Sequence, residues 1–260
     1  MSDDGAALLV AAPTVAVHGV EQAASVHRPP HARVVDRTSF VRSFVKDKEV
    51  VDVGFVDQSR MVAKHALGTW LHADVRANAA SAVGIDADED GVRLARELGY
   101  VAFAADRESE ADIRSLELEP ADVLLAGELI EHLDQPGRFL EAAKLLVKPD
   151  GRLLITTPNA PSLTNFLGSL LYRELVNPDH VAWFSWHTLD TLLGRHGWTM
   201  VHLAYYGFPR VPLPPDAARS ARRRARAFNA YQRLAAPVFR LRPTLADGLI
   251  VVAERAAQRR

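Results

Sequence analysis

The chain has 260 residues, 48% of them hydrophobic and 24% charged, with a formal net charge of −1. These values are ordinary for a folded globular protein. They allow one large α/β domain or one domain plus additions, and they give no bulk charge favouring nucleic acid. Cysteine is absent, which excludes disulfides, thiol catalysis and zinc–thiolate sites and fits a reducing cytoplasm.

Residues 1–35 are rich in Ala, Val, Pro and His and carry the breaker HRPPH at His27–His31, a composition that predicts a largely disordered arm with room for one short ordered piece. Its apolar run Ala6–Ala12 follows Asp3 and Asp4 with no preceding Lys or Arg, so no secretory signal is expected. No apolar stretch approaches the roughly 20 residues of a membrane span. His18, His27 and His31 lack a carboxylate at ligand spacing, and no metal site is expected.

From Lys48 onward, short β-branched runs alternate with helical spacing. Strands are predicted at Val50–Gly54, Ala82–Asp86, Val101–Ala105, Asp122–Ala126 and Arg152–Thr157. Between them lie a long turn and a helix near Trp70–Ala80, a helix from Asp88 to Leu98 stopped by Gly99, a helix over Gly137–Val147, and a KPDG turn at Lys148–Gly151. Beyond Pro158 the pattern predicts a helix over Ala160–Tyr172, then the loop NPDHVAWFS at Asn177–Ser185. A helix over Thr188–His196 follows, with Leu189, Leu192 and Leu193 in the core, then a strand at Thr199–Tyr205. A Pro-rich loop over Phe208–Pro215, a basic helix over roughly Ala217–Ala235 and a last strand at Leu249–Ala253 complete the chain. Strands separated by helices imply βαβ units and a parallel sheet with helices on both faces.

Two strand ends point to a ligand. VVDVG at Val50–Gly54 stops on glycine, and SAVGID stops on Asp86, about 30 positions later. An acidic residue at the end of a second parallel strand can accept hydrogen bonds from a ribose diol, so the chain reads as a nucleoside-cofactor binder.

Three stretches extend this reading: VVDVGFVDQ at Val50–Gln58, VGIDADEDGVRLARELGY at Val83–Tyr100, and DVLLAGELIEHLDQPGRFLEAAKLLVKPDGRLLITTPN at Asp122–Asn159. Through them the chain resembles the class I S-adenosylmethionine-dependent methyltransferases, in particular the bacterial group with EHL after strand four and DH..WFS..TL..LL...G downstream. The resemblance covers about residues 48–205 and the last strand. It implies a Rossmann-like, doubly wound α/β fold with a seven-stranded sheet, mostly parallel with an antiparallel last strand. It implies a single domain over 36–260, with substrate-side insertions at about 160–187 and 206–245, and S-adenosyl-L-methionine as cofactor. Gly54 and Phe55 would cover the methionine part, with Asp57 near its amino group. Asp86 would bind the ribose, Ala87 would flank the adenine, and Asp106 would accept from the adenine amino group. Ala126, Gly127 and Glu128 would open onto the cofactor. The chain departs from the family at strand one, where a typical member has G-x-G-x-G and this one has Phe55, Val56 and Asp57 after Gly54. Asp57 and Asp86 also suit simple capping.

Methyl transfer to an oxygen of high pKa needs a positioned nucleophile and a general base. Glu128, Glu131 and His132 follow strand four. If that segment is helical, Glu128 and His132 are i,i+4 and share a face, making them the catalytic candidates; the alternative is that the acids suit a helix dipole. Asn159, His180 and Trp183 are the substrate-pocket candidates, although Trp183, Phe184 and Trp186 also suit lid packing. The basic segment Arg219–Phe228 reads as a solvated helix, or as a weak contact to an anionic surface. Without zinc spacing or an aromatic RNA-binding motif, no nucleic-acid partner is expected. The leading reading is therefore a cytoplasmic O-methyltransferase acting on a small metabolite, a sugar or a lipid-linked intermediate. A non-catalytic binding protein with a degenerate cofactor loop is the alternative. A nicotinamide dehydrogenase would need G-x-G-x-x-G and Tyr-x-x-x-Lys, and neither is present.

Overall fold

Strands β1 (Glu49–Val53) and β4 (Ala121–Gly127) are nearly continuous apolar runs buried on both faces, as central parallel strands must be. In the computed structural model, which describes residues 27–57, 60–211 and 218–257, they lie at the centre of a seven-stranded sheet of order β3-β2-β1-β4-β5-β7-β6. The other strands are β2 (Ser81–Asp86), β3 (Ala102–Ala104), β5 (Val147–Pro158), β6 (Trp198–Tyr206) and β7 (Gly248–Arg255). All pairs are parallel except those of β7, which runs antiparallel to β5 and β6. The strand order reverses between β1 and β4, where an open α/β sheet forms its ligand crevice.

Alternation along β4 builds two cores. Leu124 and Ala126 join a cluster with Phe139, Leu140 and Trp198, while Val123 and Leu125 join one with Val41 and Val45. The first cluster is covered by α6 (Pro136–Leu146) and α8 (Trp186–Arg195), and the second by α1 (Arg37–Val45). Helices α2 (Met61–Ala66), α3 (Leu71–Asn78), α4 (Glu89–Glu97) and α5 (Glu110–Ser115) accompany β1 to β4. Helices α7 (Leu163–Leu170) and α9 (Arg219–Leu241) belong to the segments flanking β6.

Several boundaries differ from the sequence reading for identifiable reasons. Residues 1–26 of the expected arm lie outside the described residues, as does 212–217 around the Pro-rich loop. The end of that arm is ordered: Val35 N–H donates to Tyr205 O at 2.8 Å, and Tyr205 N–H donates to Arg33 O at 2.9 Å, adding a short parallel bridge along β6. Helix α1 follows at once, capped by Asp36, whose side chain accepts from Ser39 N–H. It is held by Val41 and Val45, which are i,i+4 and fully buried. KPDG belongs to β5 rather than to a turn: Val147 pairs with Ala121, and an irregularity between Ala121 and Val123 absorbs the extra residues. Helix α7 begins later than expected because Ser162 caps it, accepting from Asn165 N–H at 3.2 Å. Helix α9 continues through Pro237 to Leu241.

Candidate functional site

Register aligns the carboxyl ends of the central strands. Asp86 pairs with Ala104, Val53 with both Ile85 and Ala126, and Gly127 with Thr156. At this edge the chain leaves β1 through Gly54, whose φ is +75° and whose N–H donates to Ile85 O at 2.8 Å. A Cβ there would lie 2.6 Å from Leu129 Cδ1, so both conformation and space call for glycine. The Asp86 carboxylate is buried and accepts from Val56 N–H at 3.0 Å and from Asp88 N–H at 3.1 Å. Arg107 Nη1 stands 3.8 Å from its Oδ1. Burial pushes this carboxyl pKa up, against the two amides and Arg107. A carboxylate has about four acceptor positions, so two amides leave room for a diol.

The missing loop glycines have counterparts elsewhere. Phe55 turns inward and packs on Trp70 and His72, with ring centroids 6.0 and 4.6 Å away. A Cβ on Gly84 of β2 would come within 2.7 Å of the Phe55 ring, and one on Gly91 of α4 within 2.4 Å of Val56 Cγ1. The neighbouring strand and helix thus make room for the Phe55 and Val56 side chains.

Beyond β4 the chain turns at Glu128, whose φ is +55°. Its N–H donates to Thr156 O at 2.8 Å, and its carboxylate accepts from the Tyr206 hydroxyl. Tyr206 reaches it because Gly248 leaves room for the ring. Arg37 of α1 donates to Thr156 Oγ1 at 2.9 Å and stands 3.9 Å from Glu128. Burial alone would lower the Arg37 pKa, but Glu128 and Tyr206 more than offset it. Burial and Glu128 hold the Tyr206 phenol protonated.

A single 3-10 turn, Ile130–His132, comes next. Glu131 is buried; its Oε2 accepts from Thr157 Oγ1 at 2.9 Å, while its Oε1 has no partner among the described residues. Burial first, and then Glu128, raise its pKa to about 8. Its carbonyl accepts from Val181 and Ala182 N–H, stitching the loop after α7 to this turn. That loop brings His180 to a ring-centroid distance of 4.6 Å from His132, and Trp183 to 6.0 Å from His180. Ligand atoms of Glu131, His132 and His180 lie within 4.8 Å of one another, a donor set of two imidazoles and a carboxylate suited to a divalent cation. His132 Nδ1 lies 3.0 Å from Asp179 O. A carbonyl only accepts, so Nδ1 carries the proton and Nε2 is left as acceptor or ligand. Burial and His132 lower the His180 pKa, against Glu128 and Asp179, which favours its neutral form.

A family described as "Methyltransferase domain" matches residues 32–203. The chain belongs to this methyltransferase family. The mitochondrial ubiquinone biosynthesis O-methyltransferase of Homo sapiens is 27% identical over 144 residues, covering 50% of this chain and 39% of that protein. The ubiquinone biosynthesis O-methyltransferase of Neisseria meningitidis serogroup A is 34% identical over 96 residues, covering 35% of this chain and 40% of that protein. The match thus spans about two fifths of these relatives' length. A SAM-dependent methyltransferase from Archaeoglobus fulgidus has the same fold, with a TM-score of 0.50 at 16% identity, covering 84% of this chain and 92% of that one.

In this methyltransferase-family chain the structure brings Gly54 and Asp86 together at one edge, and Glu128, His132, His180 and Trp183 around the end of β4. The remaining candidates are placed as follows. The Phe55 side chain is core packing, so only its backbone faces the loop. Asp57 is engaged within its own loop by Lys64 and Arg60. Glu128 and His132 do not share a helical face, because the left-handed turn at Glu128 and the short 3-10 turn replace the helix. Asn159 is buried and clamps backbone, donating to Thr244 O and Ala246 O at 2.9 and 2.8 Å, while its Oδ1 has no partner among the described residues. Ala126 is fully buried in the core and Gly127 lies beside Arg37, while Ala87 is exposed. Asp106 is exposed and accepts from Glu108 N–H at 2.9 Å, bracing its own loop. Sequence reading missed Arg37, Thr156, Thr157 and Tyr206, and it assigned no ligand cluster to Glu131, His132 and His180.

Two measurements test this geometry. Gly84→Ala is expected to destabilise the protein by about 1–3 kcal/mol through overpacking, with most of that loss absent in a Phe55→Ala background; a double-mutant cycle by urea denaturation measures the coupling. Glu131 releases its proton near 4.5 when unfolded and near 8 when folded, so between these values the folded state binds the extra proton and stability falls as pH rises. Glu131→Gln should therefore gain on wild type from pH 5 to pH 8 in chelator-treated buffer, by up to about 1.4 kcal/mol per pH unit. An unchanged difference across that range would refute the assignment.

Proposed function

We propose that this chain transfers the methyl group of S-adenosylmethionine to an oxygen of a small acceptor: a metabolite, a sugar or a lipid-linked intermediate. The observation that carries the reading is Asp86, a buried carboxylate with free acceptor capacity at the end of β2, beside the Gly54 turn and across the strand-order reversal from the Glu131–His132–His180 cluster. The sulfonium supplies a methyl group already activated for displacement, so the protein's work is to position the nucleophile and manage its proton.

The residues divide that work. Asp86 accepts from the ribose hydroxyls. Gly54 lets backbone approach the amino-acid end of the cofactor. His132, with its Nδ1 turned to Asp179 O, presents Nε2 to the acceptor and takes its proton as the carbon–oxygen bond forms. His180 and Trp183 wall the acceptor side. A divalent cation held by Glu131, His132 and His180 would occupy the His132 Nε2 and stand in place of the base, lowering the pKa of an acceptor hydroxyl and fixing its oxygen. Acceptance at oxygen is favoured by this hydroxyl-activating set and by the O-methyltransferase names of the curated relatives. Gly84 and Gly91 give the Phe55 and Val56 side chains room, which supports an intact loop over the degenerate-loop alternative.

Calorimetric titration with S-adenosylmethionine and S-adenosylhomocysteine tests the core of the reading. Wild type should bind both, and Asp86→Ala should weaken binding about tenfold to a hundredfold, the loss of charged hydrogen bonds. Folded wild-type protein that binds neither ligand would sink the proposal and favour the non-catalytic reading. In a separate titration with Mn²⁺, His132→Ala and His180→Ala should each lower affinity about tenfold or more, with S-adenosylhomocysteine binding retained. Equal Mn²⁺ affinity in all three proteins would remove the cation from the scheme.

A further inference from the structure

Helix α9 and the segment from α7 to Val181 share an unusual surface. Between Ala217 and Ala246 the chain has many arginines and no aspartate or glutamate. Among the described residues, none of the arginines of α9 lies within ion-pair distance of a carboxylate. Helical spacing puts Arg219, Arg223 and Arg226 on the outer face of the first half of the helix. The same face continues in the second half as Leu234, Val238 and Leu241, with Arg233 and Arg240 at its flank. Leu234 is 76% exposed and Leu241 72%.

The neighbouring segment exposes more apolar surface. Phe166, Leu170, Leu171 and Tyr172 are all more than half exposed. The two elements are joined, since Thr164 Oγ1 of α7 lies 2.8 Å from the Tyr231 hydroxyl of α9 and donates to Asp247 at 2.5 Å. A large apolar area rimmed by cations is a mark of an interaction surface. Both elements sit at the carboxyl edge of the sheet: α7 follows the end of β5, and α9 leads into the start of β7, where Pro158 and Gly248 are paired.

We infer that this surface docks the protein onto an anionic lipid bilayer, with the arginines at the headgroups and the leucines and aromatics at the acyl boundary. Charge decides between candidate partners. A second copy would bring one arginine field against another. A nucleic-acid backbone would satisfy the arginines and leave the exposed leucines and Phe166 without a partner. An anionic interface matches both parts, in the manner of helices that lie in the plane of the membrane surface. The alanine-rich first half of α9 keeps insertion shallow. Docking of this kind presents the edge bearing Asp86 and His132 to the membrane surface, where an amphipathic acceptor would be held. Lipid binding itself stands apart from the methyl-transfer reading and is measured without it.

The test is flotation of the full chain with phosphatidylcholine vesicles, with and without phosphatidylglycerol. The protein should float with the anionic vesicles only. Arg223→Glu with Arg226→Glu, and separately Leu234→Ser with Leu241→Ser, should each reduce partitioning about tenfold, with circular dichroism and thermal midpoint showing that both variants fold. Four results would overturn the inference: no flotation of folded wild type, equal flotation with neutral vesicles, loss in the arginine variant alone, or concentration-dependent dimerisation that the leucine variant abolishes. Binding to duplex RNA in place of vesicles would assign the surface to nucleic acid instead.

Discussion

A charged carboxylate withdrawn from water at the end of a parallel strand is costly unless hydrogen bonds replace its hydration. Asp86 meets that demand with two backbone amides, one from the loop leaving β1 and one from the N-cap of α4. The same bonds that keep the carboxylate ionisable therefore fix the path of the cofactor loop relative to β2. Gly54, Val56 and the inward turn of Phe55 all follow from that anchorage.

The polar groups beyond β4 fall into two sets. Arg37, Glu128, Thr156 and Tyr206 satisfy one another, linking α1, β4, β5 and β6 in one network. A satisfied buried network is rigid and holds its members in one arrangement. Glu131 Oε1 and His180 Nδ1 instead have no partner among the described residues, and such groups call for an explanation in terms of chemistry or a ligand. The first set acts as scaffold, and the second is where reaction chemistry is expected.

What could be read in advance was local. Buried strands announce themselves as unbroken apolar runs, and Asp86 stood out because it ends one of them. The Glu131–His132 pair was visible as a motif, but its geometry was not, because an i,i+4 argument fails when the chain enters a left-handed turn at Glu128. Helix α1 was hidden behind a Pro-rich breaker, although Asp36 and the Val41/Val45 spacing were present. Arg37 and Thr156 are 119 positions apart, Glu128 and Tyr206 are 78, and His132 and Asp179 are 47. Contacts of that range arise from topology, which periodicity does not encode. Val56 stands at a glycine position of the family pattern, and the room for its side chain lies at Gly91 of α4, 35 positions away in the chain.

The bridge between Arg33–Val35 and Tyr205 bears on what the border of the sheet offers to another chain. Strand β6 is the outermost strand of its side of the sheet, and an outermost strand offers unpaired amides and carbonyls to any other chain. Near its carboxyl end those groups are occupied by the residues just ahead of α1. A version of the protein trimmed to begin at the helix would keep its core and its crevice, yet would uncover a sticky border next to the buried ring of Tyr205. The short lead-in segment thus serves as a hem on the sheet, and trimming it trades convenience for a tendency to self-associate.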